Sequence, residues 1–169
     1  MPSTQTDNLF RLIKTLSKSE KRSFKLYVNR IGGSETAIFI QLFDVLDKQK
    51  KYDEEGIFQK IPTIKRSQLS NQKRHLYKQL LISLRLVQIQ KNIDIQIREQ
   101  IDFARILYGK GLFHQSLKIL ERVKNIAKEA HQDILHLEIV EFEKLIESRH
   151  ITRSIENRAI ELTEESGKR

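Results

Sequence analysis

The segment SQLSNQKRHLYKQLLISLRLV, residues 67–87, decides the fold class. Leu69, Leu76, Tyr77, Leu80, Leu81, Leu84 and Val87 recur in it at three- and four-residue intervals, the rhythm of a helix that lays one side against a core. It holds neither proline nor glycine, so nothing in it interrupts the helical hydrogen-bond ladder. The spacing predicts one long helix, the central strut of its surroundings.

Upstream the same rhythm comes in shorter pieces. Leu9, Leu12, Ile13 and Leu16 stripe a short helix ending near Ser17. Ser17-Lys18-Ser19-Glu20 has the form of a capping box, in which each side chain satisfies a backbone N–H near the other residue. Phe24, Leu26, Tyr27 and Val28 belong to the helix it opens. Gly32-Gly33 then breaks the chain, and Ser34 is expected to cap a helix carrying Ile38, Leu42, Phe43, Val45 and Leu46. After the polar run Lys48 to Lys51, Asp53 is expected to cap a short helix through Phe58 and Ile61, which Pro62 closes by removing an amide donor.

Downstream, Ile89, Ile93, Ile95 and Ile97 alternate with polar residues as a strand would, but Asn92 and Asp94 fit a helix break and restart better. A helix from Asp94 to Tyr108 meets the tight connection Gly109-Lys110-Gly111, and Phe113, Leu117, Leu120, Val123 and Ile126 mark its hairpin partner. Asp133 is expected to cap a further long helix with Leu135, Ile139, Phe142, Leu145 and Ile146, followed by a last helix with Ile151, Ile155, Ala159 and Leu162. The expected fold is all-α and at least about 65% helical. A basic helical segment, 1–91, leads into a helical-hairpin array, 92–169, the two packed as one continuous array.

Composition agrees with this. Of 169 residues 38% are apolar, with two prolines and six glycines, too few breakers for a loop-rich β fold and too much apolar content for disorder. The absence of cysteine excludes a disulfide framework, a zinc finger and a thiol nucleophile. No apolar run approaches the roughly 18 residues that span a bilayer, and the polar stretch Met1 to Asn8 has no signal-peptide form. Cytoplasmic residence without a membrane partner is the expectation.

The net charge of +9 is unevenly spread. Residues 1–90 carry 17 bases and 8 acids, whereas 91–169 carry 14 of each. Between Gly56 and Ile93 there is no acid but eight bases, Lys60, Lys65, Arg66, Lys73, Arg74, Lys78, Arg85 and Lys91, a composition that attracts polyanions. At about 100° per residue, Arg74, Lys78 and Arg85 share a narrow arc away from Leu76, Leu80 and Val87. The run from Asp53 through Pro62 to Ser67-Gln68-Leu69-Ser70-Asn71-Gln72-Lys73-Arg74 resembles a helix-turn-helix with a long connection. Arg66, Lys73, Arg74, Lys78 and Arg85 are therefore candidate nucleic-acid or polyanion ligands. The competing reading is a solvated face whose long bases cover apolar surface with their stems.

Ala104, Leu107, Gly111, Phe113, Ser116, Leu120 and Val123 resemble the signature positions of a tetratricopeptide repeat. The resemblance covers about one repeat, roughly 97–130. The usual closing proline is missing, and Glu138 stands where a second repeat would place a small residue. It implies that small Ala104 and Ser116 let two antiparallel helices approach, and that the first helix lines a groove gripping peptides, with Arg98, Arg105 and Tyr108 facing it. Arg98 and Arg105, seven residues apart on one face with Asp102 between them, could grip a carboxylate, or could pair with Asp102 on a wet surface.

Catalytic patterns are lacking. His75, His114, His131, His136 and His150 form no H-E-x-x-H pair, and His131 and His136 are five apart, off one helical face. Asp53-Glu54-Glu55 and Glu164-Glu165 fit helix-end charge and solubility, and Gly167-Lys168 lacks the first glycine of a phosphate loop, which Leu162 replaces. The expectation is a non-enzymatic protein-protein interaction module that needs no cofactor or metal, with nucleic-acid binding through the basic helix as the alternative. The stripe Ile151, Ile155, Ala159 and Leu162 is expected to meet a second copy or further repeats, the alternative being a fold-back onto Phe142 and Ile146.

Overall fold

A computed structural model describes residues 7–166, and of 35, 151–158, 161, 162 and 164–166 the backbone alone. The described residues form eight helices and no strand, 83% helical, so the fold is all-α. The chain divides into two compact units, Met1–Gln88 and Ile89–Arg169.

Unit 1 holds α1 (Asn8–Thr15), α2 (Lys18–Ile31), α3 (Ser34–Lys48), α4 (Glu54–Lys60) and α5 (Arg66–Gln88). Asp7 starts α1, its Oδ1 accepting from the Phe10 N–H at 2.9 Å. The capping box at α2 is complete: the Glu20 N–H donates to Ser17 Oγ at 3.2 Å, and the Ser17 N–H donates to the Glu20 carboxylate at 2.8 Å. Gly32 and Gly33 follow with φ of 67° and 103°, the left-handed region that side chains disfavour.

Two expected caps are corrected here. Gly33 holds the N-cap position of α3, and Ser34 is already helical. Asp53 stands at the N-cap of α4 without a side-chain cap bond; Gln49 secures that junction instead, accepting from the Asp53 N–H at 3.1 Å and donating to the Asp53 carbonyl at 2.9 Å.

α5 packs on α1, α2 and α3 and buries Leu69, Leu76 and Leu80 with Phe24, Val28, Leu42, Phe43 and Leu46. The rings of Phe24 and Phe43 lie 5.0 Å apart. The buried stripe of α5 is narrower than its sequence pattern, since Tyr77 and Leu81 are exposed at 37% and 45%. Both fall on the flank of the helix, toward Arg74 and Lys78, where no helix covers them.

Unit 2 holds α6 (Ile93–Gly109), α7 (Phe113–Glu129) and α8 (Asp133–Ser166). The three begin twenty residues apart. Both connections close the same way: Gly111 N–H donates to the Tyr108 carbonyl and Leu112 N–H to that of Leu107, and His131 and Gln132 repeat this with Lys128 and Ala127. This is the Schellman form, which needs a left-handed residue after the helix. Gly111 supplies it at φ 78° and His131 at φ 54°.

Ala104 and Ser116, both fully buried, sit where α6 meets α7, and Ser116 Oγ donates to the Ala104 carbonyl at 2.7 Å. Ile97, Ile101, Leu120, Val123, Leu135, Ile139, Phe142 and Ile146 complete this core. The expectation of a separate last helix is overturned. α8 runs unbroken over 34 residues, because no glycine or proline stands between Asp133 and Ser166 to end the ladder. A fold-back onto Phe142 and Ile146 is thereby excluded, since both belong to the same helix. Ile151, Ile155 and Leu162 lie outside the residues whose side chains are described.

Candidate functional site

The sequence-selected bases of unit 1 separate into two groups. Lys73 is withdrawn into the fold: its ammonium pairs with the Asp7 carboxylate and donates to the Tyr52 hydroxyl at 2.8 Å. Only a fifth of its side chain is exposed and Asp7 is more covered still. Burial alone would lower the Lys73 pKa, but the hydrogen bonds and charges of Asp7 and Tyr52 outweigh it and hold the ammonium above the usual lysine value. Tyr52 is likewise raised, first by burial, against the opposing influence of Lys73. Lys73 thus ties the start of α1 to the α3–α4 connection and to α5, and it is removed from the candidate anion ligands.

Arg66 is also engaged. It meets Glu55 at 2.7 Å and stacks 4.7 Å from the centre of the Phe58 ring. Arg74, Lys78 and Arg85 are exposed on α5, and Arg74 donates to the Asn71 side-chain oxygen at 2.7 Å. Tyr77 and Leu81 stand beside this arc, on its edge toward buried Leu80.

In unit 2 the structure brings α6 and α8 side by side. Arg105 reaches Glu138 at 3.3 Å and lies over Phe142, 4.8 Å from the ring centre. Glu138, out of place in the repeat pattern, is therefore the partner of a residue expected to face the groove. Tyr108 packs against Phe113 and Phe142, and its hydroxyl accepts from Arg149 at 2.6 Å. Arg98 is exposed one turn or more ahead of them. Of the three residues expected to line a groove, Arg105 and Tyr108 are engaged with α8.

Sequence reasoning missed a row on α8. Ile134, Leu137 and Leu145 are exposed at 82%, 60% and 41%. At about 100° per residue they share an arc on the flank from which Glu138 reaches α6, beside the buried stripe of Leu135, Ile139, Phe142 and Ile146. Leu145, grouped in the sequence with the other apolar residues of this helix, belongs to this row. The signal was present: α8 carries apolar residues on more of its circumference than one neighbouring hairpin can cover.

Other chemistry is sparse. Among the described residues no three His, Asp or Glu side chains could hold a metal ion, and no helix is long and apolar enough to cross a membrane. His114 and His150 meet edge to face at 5.5 Å, with Phe113 beside them, a packing contact between α7 and α8. An open depression of about 480 Å³ between α6 and α7 is lined by Ile97, Gln100, Arg122, Val123 and Ile126. Arg122 there donates to Gln100 at 2.7 Å. No protein-family model, curated protein or solved structure matches this chain.

Proposed function

We propose that the chain is a non-enzymatic protein-protein interaction module of helical-repeat type, and that unit 2 docks its partner beside α8. The observation that carries this reading is the row Ile134, Leu137 and Leu145, whose exposure reaches 82%. Ile134 and Leu137, three residues apart, and Leu145, eight further on, stand on one helical flank that an amphipathic partner helix can cover. Arg98, Arg105 and Tyr108 border that flank on α6 and its end, and supply cationic and aromatic contacts for an acidic or aromatic residue of the partner. Among the described residues no acid, base and nucleophile converge, which favours binding over catalysis.

The test is capture of partners from lysate by the tagged chain, with and without nuclease, alongside the Ile134→Asp/Leu137→Asp variant. Both side chains are solvent-exposed, so the variant should keep its helical circular dichroism while losing the captured protein. A partner retained by the variant, or released by nuclease alone, defeats the reading.

A further inference from the structure

α8 is twice as long as either of its neighbours, with 34 residues against 17 in α6 and 17 in α7. Its side toward that hairpin is apolar at Leu135, Ile139, Phe142 and Ile146, all buried. At about 100° per residue the next positions on the same side are Arg149, His150, Arg153 and Asn157. The apolar residues change sides there. In the register that the backbone keeps to Ser166, positions 155, 159 and 162, an isoleucine, an alanine and a leucine, fall on the arc already held by Ile134, Leu137 and Leu145. Ile134, Leu137, Leu145 and Ala159 are exposed.

One apolar arc thus runs from Ile134 to Leu162, a rise of about 42 Å. Its cover has to match that length, and among the described helices α8 alone does, since the next longest, α5, holds 23 residues. The arc is also symmetric about Ser148, a small residue at its middle. Ile134 and Leu162 stand fourteen residues before and after it, Leu137 and Ala159 eleven, and Glu141 and Ile155 seven. A two-fold axis through Ser148 therefore sets Ile134 against Leu162, and Leu137 against Ala159, of an antiparallel second α8. Such self-matching is what an isologous interface requires, and the small Ser148 lets the two helices approach at the axis. A parallel pairing would instead set Glu141 against Glu141, like charge on like. In the antiparallel pair Glu141 faces position 155, and its carboxylate stays on Lys144 at 3.0 Å.

We infer that two copies of the chain pair through α8, antiparallel about a two-fold axis at Ser148, along the arc from Ile134 to Leu162. This pairing rests on the docking surface proposed above beside α8 and makes a second copy its occupant.

The experiment combines sedimentation of the purified full chain, at about 1 to 200 μM, with cysteine cross-linking. The purified chain should sediment at twice its own mass. Leu137→Asp should weaken the dimer at least about ten-fold with helical circular dichroism unchanged, whereas Lys118→Asp, exposed on α7, should leave it intact. The chain has no cysteine of its own, so an introduced thiol reports on one position. Under oxidation Ser148→Cys should link to itself, because the axis brings the two Cα atoms within the roughly 7 Å that a disulfide spans. Ile134→Cys should not, its two copies lying about 42 Å apart, and Leu137→Cys/Ala159→Cys should link although neither single variant does. A monomer throughout the range, a dimer as tight in Leu137→Asp, self-linking of Ile134→Cys, or failure of Ser148→Cys to link would each overturn the pairing. A monomer that loses its captured lysate protein in Ile134→Asp/Leu137→Asp would overturn the pairing alone and leave the docking surface standing.

Discussion

The two units solve the same problem, burying helices, by different means. Unit 1 uses five helices whose starts and connections all differ: an aspartate cap, a capping box, a glycine pair and a glutamine clasp. Its core is held by contacts between residues far apart in the chain, such as Phe24 on Phe43 and Tyr27 donating to Gln79 at 2.9 Å. Unit 2 repeats one device, a helix closed by a Schellman turn, and its helices pack mainly on their neighbours in sequence. Charge follows the same division. Unit 2 balances its bases across helices, as in Lys124 with Glu143 at 2.7 Å and Arg105 with Glu138, whereas unit 1 spends most of its few acids internally and leaves cations over. The neutrality of one unit and the positive charge of the other follow from their counts of acids and bases.

The largest expected effect separates the units by stability. Phe24 is 1% exposed, so Phe24→Ala leaves a cavity in unit 1 and should cost about 3–5 kcal/mol. Hydrogen exchange resolved along the chain should show lost protection in α1–α5 while α6–α8 keep theirs. Equal loss in both units would erase the contrast between them.

Lys73→Met comes next. It leaves Asp7 covered and without its ammonium, which should cost about 2 kcal/mol in urea unfolding. The wild-type link also fixes a pH dependence. The folded pKa of Lys73 lies above its unfolded value of 10.5, and that of Tyr52 above 10.0. The stability each contributes is full below its unfolded value and lost as pH rises through the folded one. Unit 1 should therefore weaken above about pH 10, and Lys73→Met should flatten the decline. An unchanged alkaline profile in the variant would show that the link contributes nothing.

The paired turns of unit 2 sharpen the comparison further. A Cβ at Gly111 meets nothing within 4 Å, so Gly111→Ala isolates the cost of the left-handed backbone, about 1–2 kcal/mol. His131→Gly at the equivalent place should stabilise by less than about 1 kcal/mol, because glycine's greater freedom in the unfolded chain offsets part of the relief. Thermal unfolding that moved both variants in the same direction would contradict the equivalence of the two turns. The smallest effect is expected at the surface. Arg66 and Glu55 are 69% and 63% exposed, and Arg66→Ala should shift stability by no more than about 0.5–1 kcal/mol.

Much of this fold was legible in the sequence, and the legible features share a cause. The capping box at Ser17 and the glycine turns at Gly32-Gly33 and Gly111 are each written within a few residues. The long apolar rhythm of α5 is local in the same sense. The apolar pattern of Ile151, Ile155, Ala159 and Leu162 reads as a separate helix, yet the lack of any glycine or proline between Asp133 and Ser166 is equally local evidence for one. The expected caps at Ser34 and Asp53 turned on the geometry of single residues: Gly33 takes the N-cap place before Ser34, and Asp53 holds its place without the side-chain bond.

The sequence by itself determined that this chain is helical, where most of its helices begin, and that its positive charge lies in the first half. Those properties depend on hydrogen bonds spanning four residues and on a count of side chains. Only the tertiary structure decided which cations are available and which apolar residues are bare. Lys73 looks like Lys78 in the sequence, yet Asp7 from the start of α1 claims one and leaves the other in water. Leu145 looks like Ile146, yet α6 and α7 cover one flank of α8 and not the next. A side chain's partner and cover come from elements remote in the chain, and no local pattern encodes them.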